Sequence, residues 1–342
     1  MNLYHPVKIG SLELAGNLFL APVAGYSDRA FRSVCIENGA CFTYTEMVSA
    51  EALVRGNWKT EILMSRAYNE KNYAVQIFGG NPDVMRDAAE IVLKKTGCEC
   101  IDINCGCPVP KVTKTGAGSA LTRDPDRLYT VTKAVKEACG NVPVSVKIRS
   151  GWDLPHITWK EATQAAIEAG ASAITIHPRT KTQGYEGHSD WNITKQLVEF
   201  VEGKIPVFGS GDLFRPEDAV KMLAETGVSG IMFARGAMGN PFIFRDTTEL
   251  LRTGSYKPLS PSVRIRTGFA ELERLAADTD ETHACLEMRK RFSAYSKGIS
   301  GGAALRNRIV HASTIQDYHD IFDSVPELNS PENSLIEKDS TL

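Results

Sequence analysis

No run of apolar residues in this chain of 342 residues approaches the ~20 that a membrane-spanning helix needs, so no membrane association is expected. The amino terminus, Met1-Asn2-Leu3-Tyr4-His5, lacks a basic patch followed by an apolar core, so no secretory signal is read there. Without one, the eight cysteines do not suggest a disulfide framework. Net charge is nearly absent too, and a value of −2 argues against a uniformly basic nucleic-acid binder. These absences leave a cytoplasmic enzyme as the first expectation, with no obligate protein partner implied. The hydrophobic share of 42% and charged share of 23% are ordinary for a globular chain. The length suits one large α/β barrel plus an appendage, or two ordinary domains.

The two-residue spacers of a zinc knuckle are missing as well. Cys98 and Cys100, and Cys105 and Cys107, are each separated by a single residue, and plant-type iron–sulfur spacing does not match either. Cys100 and Cys105 bracket a hydrophobic strand that would hold their thiols apart, so no metal is expected.

What is present alternates. Short β-like runs at 18–22, 42–47, 74–78, 100–104, 144–148, 173–177, 206–209 and 230–234 are apolar and mostly continuous, as strands covered on both faces are. Helical patterns fall between them. The clearest are 126–139, 159–169 after a capping Thr158, and 216–225 with Pro216 at its first position. Eight strands with helical crossovers predict an α/β fold, a (β/α)₈ TIM barrel over residues 1–250. A doubly wound open sheet is the runner-up, and it lacks its Gly-x-Gly-x-x-Gly fingerprint on strand one. Residues 255–323 change texture, with helices at 263–277 and 283–296 and no strands between, which predicts a small C-terminal helical domain. Residues 324–342 read as a mobile acidic tail.

Charge is also uneven. Arg289, Lys290, Arg291, Lys297, Arg306 and Arg308 lie between Glu287 and His311, with Glu287 the only acid. The chain then reverses sign from Asp317 onward, so the average hides both segments.

Unusual residues gather at the carboxyl ends of the strands, where barrel enzymes build their sites. The run Ile101-Asp102-Ile103-Asn104-Cys105-Gly106-Cys107-Pro108 reads as a buried strand that stops abruptly and presents a cysteine on a loop. After strand one, Pro22, Val23, Ala24 and Gly25 let backbone approach a planar ligand, or simply form a tight turn capped by Asp28. Gln76 is a polar amide within an apolar strand and needs partners, either backbone or the edge of a heteroaromatic ring. Lys147 at a strand end could set positive charge beside an anionic cofactor, or snorkel to the rim. His177 reads as a ligand contact or as a satisfied core histidine, with Arg179 nearby. The glycine-rich ends of strands seven and eight, holding Ser210, Gly211 and Asp212, then Ala234 and Arg235, stand where barrels hold a phosphate, as in FMN.

Leu20-Ala21-Pro22-Val23-Ala24-Gly25, Gln76-Ile77-Phe78-Gly79, the Asp102–Pro108 run, Gly116-Ala117-Gly118-Ser119-Ala120-Leu121, His177-Pro178-Arg179-Thr180 and Gly209-Ser210-Gly211-Asp212 occur in order. Together they resemble the bacterial-type tRNA-dihydrouridine synthases over residues 7–244, and the basic segment resembles that family's RNA-binding helical domain. The resemblance implies reduction of D-loop uridines in tRNA to 5,6-dihydrouridine, with FMN as cofactor and NADPH (or NADH) as electron donor. It implies flavin contacts from Pro22, Val23, Ala24, Gln76, Lys147 and His177, and a ribityl phosphate held by Ser210, Gly211, Asp212, Ala234 and Arg235. Cys107 would be the proton donor, chosen over Cys105 because the matching unit is Gly-Cys-Pro. Asn104, Arg179, Lys111, Lys114, Arg289, Lys290, Arg291, Arg306 and Arg308 would contact the substrate. Two positions depart from the family's usual pattern: Ser210 replaces an Asn, and Ala234 a Gly. The competing expectations are an FMN-dependent dehydrogenase of a free pyrimidine and a tRNA-binding protein without catalysis.

Overall fold

The computed structural model describes residues 3–328. Eight strands follow one another around a ring: β1 (Leu18–Leu20), β2 (Phe42–Tyr44), β3 (Tyr73–Phe78), β4 (Cys100–Cys105), β5 (Val144–Asp153), β6 (Ala173–Thr180), β7 (Val207–Gly209) and β8 (Gly230–Phe233). Each pairs in parallel with the next, and β8 closes on β1 through Ile231 against Leu18 and Phe233 against Leu20. The expected (β/α)₈ barrel with C-terminal helices is the fold.

Strand alternation then sorts side chains. Tyr73, Val75, Ile77, Ile101, Ile103 and Cys105 point outward into the layer beneath the helices. Phe19, Phe42, Tyr44, Ala74, Cys100, Ala173 and Phe208 fill the barrel interior. A short antiparallel hairpin, Val7–Ile9 with Leu12–Leu14, went unrecognised in the sequence. Its Val7, Ile9 and Leu14 join the interior cluster. A Cβ on Gly10 of its turn would lie 3.2 Å from Pro143, just before β5, so the hairpin plugs the amino-terminal mouth. The opposite mouth stays open.

Local signals behave unevenly. Helix α1 (Arg29–Glu37) starts as expected, with the Asp28 carboxylate accepting from Phe31 N–H at 3.0 Å. Thr158 does not cap α2 (Trp159–Glu168); its hydroxyl donates instead to the carbonyl of Thr122 at 2.7 Å. Strand β5 runs five residues past Ile148 and folds into a hairpin with His156–Ile157.

Among the described residues, four α-helices make the C-terminal domain: α3 (Pro261–Asp278), α4 (Glu281–Tyr295), α5 (Gly302–Ile309) and α6 (Ile315–Asp323). The last two were not read from the sequence. Gly268 lets α3 and α4 touch, since a Cβ there would sit 2.6 Å from the Phe292 ring. The chain remains packed just beyond α6, where Val325 and Leu328 meet this core and Glu327 accepts from Ser300 N–H. The rest of the expected acidic tail lies outside the described residues.

Arg291 joins the two domains. It is 2% exposed and donates to Glu271 of α3 at 2.5 Å and to Asp28, the cap of α1, while Tyr295 also donates to Glu271. This corrects the expectation that Arg291 contacts RNA, because its guanidinium is consumed inside the protein. Removing one partner of such a buried group typically costs about 3–5 kcal/mol. Arg291→Met is therefore expected to lower stability by about 3 kcal/mol in urea unfolding, whereas Arg306→Met, at an exposed position, should stay within about 0.5 kcal/mol.

Candidate functional site

The open mouth holds a cavity of about 280 Å³ lined from all eight strands or the loops that follow them. Its walls follow from the strand alternation. Gln76 on β3, Asn104 on β4, Lys147 and Arg149 on β5, and His177 and Arg179 on β6 all share the inward parity. The register sets Asn104 beside Lys147, and His177 beside Arg149.

A chain of hydrogen bonds runs up one wall. Asn104 Nδ2 donates to Gln76 Oε1 at 2.8 Å, and Gln76 Nε2 donates to Asp102 Oδ2 at 2.6 Å. The other oxygen of Asp102 accepts from Ser145 Oγ at 2.5 Å. At the upper end, Asn104 Oδ1 accepts from the N–H groups of Gly106 (3.1 Å) and Cys107 (2.9 Å). The Cys107 loop is gripped from behind as well. Arg149 Nε donates to Gly106 O, Ser119 N–H donates to Cys107 O, and Gly118 leaves no room for a Cβ against that same carbonyl.

Cys107 is half-buried at the cavity edge. Burial pushes its thiol above the ordinary value, only partly offset by the Val109 N–H and the Arg149 charge, so it carries its proton at neutral pH. Cys105 points outward and is fully buried under the helices, which removes it from the cavity.

The adjoining wall, from β5 onward, is cationic. Burial, then the Arg149 charge, push Lys147 down to about 8, with Asp102 acting the other way. Burial and the charges of Lys147, Arg149, Arg179 and Arg235 hold His177 well below its usual value, so it is neutral. Arg179 Nη1 points at His177 Nε2 at 3.2 Å, which assigns the remaining ring proton to Nδ1.

Arg179, expected to touch substrate, is 2% exposed and does not line the cavity. Its donors go to Ser189 Oγ, the carbonyls of Glu186 and Gly187, His177 and Asp212. It orders the loop after β6 instead. Burial raises Asp212, but the Arg179 hydrogen bond, the Ser189 N–H and the charges of Arg179 and Arg235 outweigh it and leave the carboxyl below its ordinary value. Asp212 thus anchors arginines at the expected phosphate end, where its own charge would repel an anion. Ser210, Gly211, Asp212, Ala234 and Arg235 line that end. Gly211 has φ +104°, and a Cβ on it would lie 2.4 Å from Ser189 Oγ. Pro22, Val23 and Ala24 line the cavity from the β1 loop.

The site includes residues to which the sequence reading gave no role: Met47, Arg149, Tyr185 and Phe214. Arg235 lies between the rings of Tyr185 (4.3 Å) and Phe214 (5.1 Å). For Asp102, Ser145 and Arg149 a signal was available, since each shares strand parity with Gln76 or Lys147. Tyr185 and Phe214 sit on loops that no periodicity marks.

Outside the cavity, Lys111 and Lys114 are exposed on the turn after Cys107, and Arg306 is exposed on α5. Arg289 donates to Ala312 O, Lys290 to Gly25 O, and Arg308 to Ser324 Oγ and Asp320 O, so each also ties structure together.

A closed parallel barrel with a pocket of charged, amide and apolar side chains across its carboxyl mouth is the architecture of an enzyme. The chain belongs to the dihydrouridine synthase family: the family description "Dihydrouridine synthase (Dus)" matches residues 19–327. A Treponema pallidum protein named "Probable tRNA-dihydrouridine synthase" is 55% identical over 322 residues, covering 92% of this chain and 95% of that one. The "tRNA-dihydrouridine synthase B" of Pseudomonas aeruginosa is 36% identical over 265 residues, covering 78% and 79%. Among solved structures, a 2-naphthoyl-CoA reductase complex aligns with TM-score 0.55 at 14% identity over 72% of this chain. A histamine dehydrogenase from Rhizobium sp. 4-9 gives 0.53 at 13% over 79%. The chain spans about half the length of these two, which share its fold.

Lys147 gives the wall a titrating charge. Below about 8 it is cationic, so affinity for an anionic ligand is expected to fall as pH rises through that value. Fluorescence titration with FMN across this range tests it, and Lys147→Met should bind more weakly and without this step.

Proposed function

We propose that this enzyme reduces uridines in tRNA to 5,6-dihydrouridine, with FMN as its cofactor and NADPH as the electron donor. The observation that carries this reading is the protonated Cys107 thiol, on a loop held by Asn104 at the edge of a pocket that cations also line. Family membership and the named relatives support the substrate.

The cavity suits FMN. Gln76 and Asn104 set an amide edge against one side and Lys147 supplies charge. Gly211 and Gly236 let the loops after β7 and β8 pack where a Cβ would collide with Ser189, His177 or Leu213. Arg235 offers a guanidinium at the phosphate end. When bound, FMN would supply the hydride that adds at C6 of the uracil ring. Cys107 would then donate its Sγ–H proton to C5, completing saturation of the C5=C6 bond and leaving a thiolate that solvent reprotonates. Arg149, among the charges that act on that thiol, stabilises the thiolate once formed. Lys147 faces the region where negative charge develops.

A base within a folded RNA must leave its stack to enter such a mouth. Lys111 and Lys114 beside the catalytic loop, with Arg306 on the helical domain, are exposed and would meet phosphates, which would make binding dependent on salt. A cytoplasmic setting accords with this substrate.

Cys107→Ala is the test. With FMN bound and reduced, this variant should bind unmodified tRNA as the parent does, yet form dihydrouridine at least about 100-fold more slowly, the scale of a lost general acid. Single-turnover product analysis reads the effect, and a fully active variant would remove Cys107 from the chemistry.

A further inference from the structure

We propose that Asp102 is the positioning residue of this reaction, acting through Gln76 and Asn104 to set the pocket's amide edge and the seat of the Cys107 loop. The proposal rests on the function proposed above and assigns a role to a residue that reaches neither the cavity nor its ligands.

Asp102 has no exposed surface and does not line the pocket. A carboxylate in a barrel interior is costly unless it is fully hydrogen-bonded, and an apolar residue would pack there without that cost. The groups around Asp102 act on the site. As an ionised acceptor, it requires the Nε2 end of Gln76 to face it, at 2.6 Å. Gln76 Oε1 must then face Asn104 Nδ2, at 2.8 Å. That leaves Asn104 Oδ1, and no other atom of the amide, to receive the N–H groups of Gly106 and Cys107. Turning either amide over would set donor against donor or acceptor against acceptor. One buried charge therefore determines the polarity of two pocket amides and the orientation of the thiol loop.

The same carboxylate answers Lys147, which stands beside Asn104 on the neighbouring strand. Every element around Asp102 contributes to its setting. Gln76 faces it from β3, and Ser145 and Lys147 from β5. Tyr44 acts from β2, and Cys100 and Cys105 lie on its own strand. Burial pushes Asp102 up to about 6, against the pull of Ser145, Gln76 and Lys147. The carboxylate is thus present above that pH and is lost as pH falls through it.

Two variants separate charge from shape. Asp102→Asn keeps the size and can keep both hydrogen bonds, while making the group neutral at every pH. Asp102→Ala removes the anchor. The first readout is the rate at which reduced, FMN-loaded enzyme is reoxidised by unmodified tRNA as a function of pH. The parent rate should fall as pH drops through about 6. Asp102→Asn should lack that limb, and Asp102→Ala should be about 100-fold slower, the scale of a small misplacement of reacting groups.

The second readout needs no turnover. Iodoacetamide labelling of Cys107 in cofactor-free protein should quicken about 10-fold in Asp102→Ala, the change allowed by loss of about one net hydrogen bond. A parent-like pH limb in Asp102→Asn, or unchanged labelling and reoxidation in Asp102→Ala, would overturn the proposal. If Asp102→Ala does not fold, Asp102→Asn still decides it through the pH limb. Parent enzyme that tRNA fails to reoxidise would overturn the function itself, a different result from active parent with indifferent variants.

Discussion

One side-chain oxygen, Oδ1 of Asn104, holds the Cys107 loop in place. It accepts from two successive backbone N–H groups, so Gly106 and Cys107 cannot continue as strand and must turn over the mouth of the barrel. The remaining grips follow from that turn. Once the loop bends, Gly106 O faces Arg149, Cys107 O faces Ser119 N–H, and Gly118 must lack a side chain. The thiol is left half-buried and protonated, a state suited to an acid more than to a nucleophile or metal ligand.

Charge is arranged around this point in a consistent order. Cations on β5 and after β8 face the cavity, His177 is kept neutral by burial and by its cationic neighbours, and the two nearby carboxylates, Asp102 and Asp212, are tied up in hydrogen bonds. The pocket therefore presents a net positive field to an anionic ligand while the proton stays on sulfur. Arg291, bound to both Asp28 and Glu271, extends the arrangement outward by fixing the helical domain to the cap of α1. Lys290 adds a hydrogen bond to Gly25, in the loop whose preceding residues line the cavity.

Much of the barrel was legible because its strands are short apolar runs separated by well-formed helices, and that pattern admits few topologies. The N-terminal hairpin was not, since Val7-Lys8-Ile9 and Leu12-Glu13-Leu14 are each broken by a charged residue and show no continuous apolar run. Thr158 failed as a cap because a tertiary partner, Thr122 O, competed for its hydroxyl. Residues on the inward parity of the strands, such as Gln76, Asn104 and Lys147, stood out as polar interruptions of apolar runs. Asp102 and Arg149 interrupt in the same way, but their place depends on register, which one sequence does not display. Arg179 and Arg291 show the limit of reading charge from sequence: both are cations in basic surroundings, and both are spent inside the protein on carboxylates and carbonyls distant in the chain. Lys111 and Arg306 look the same in sequence and remain at the surface.

The central claim is that this pocket reduces a uracil ring carried by folded RNA. Purified protein supplied with FMN and NADPH, incubated with unmodified tRNA and separately with free uridine, tests it by nucleoside mass analysis. The account predicts dihydrouridine in the tRNA and little or none from the free nucleoside. Reduction of the free nucleoside with the tRNA left unchanged would contradict it.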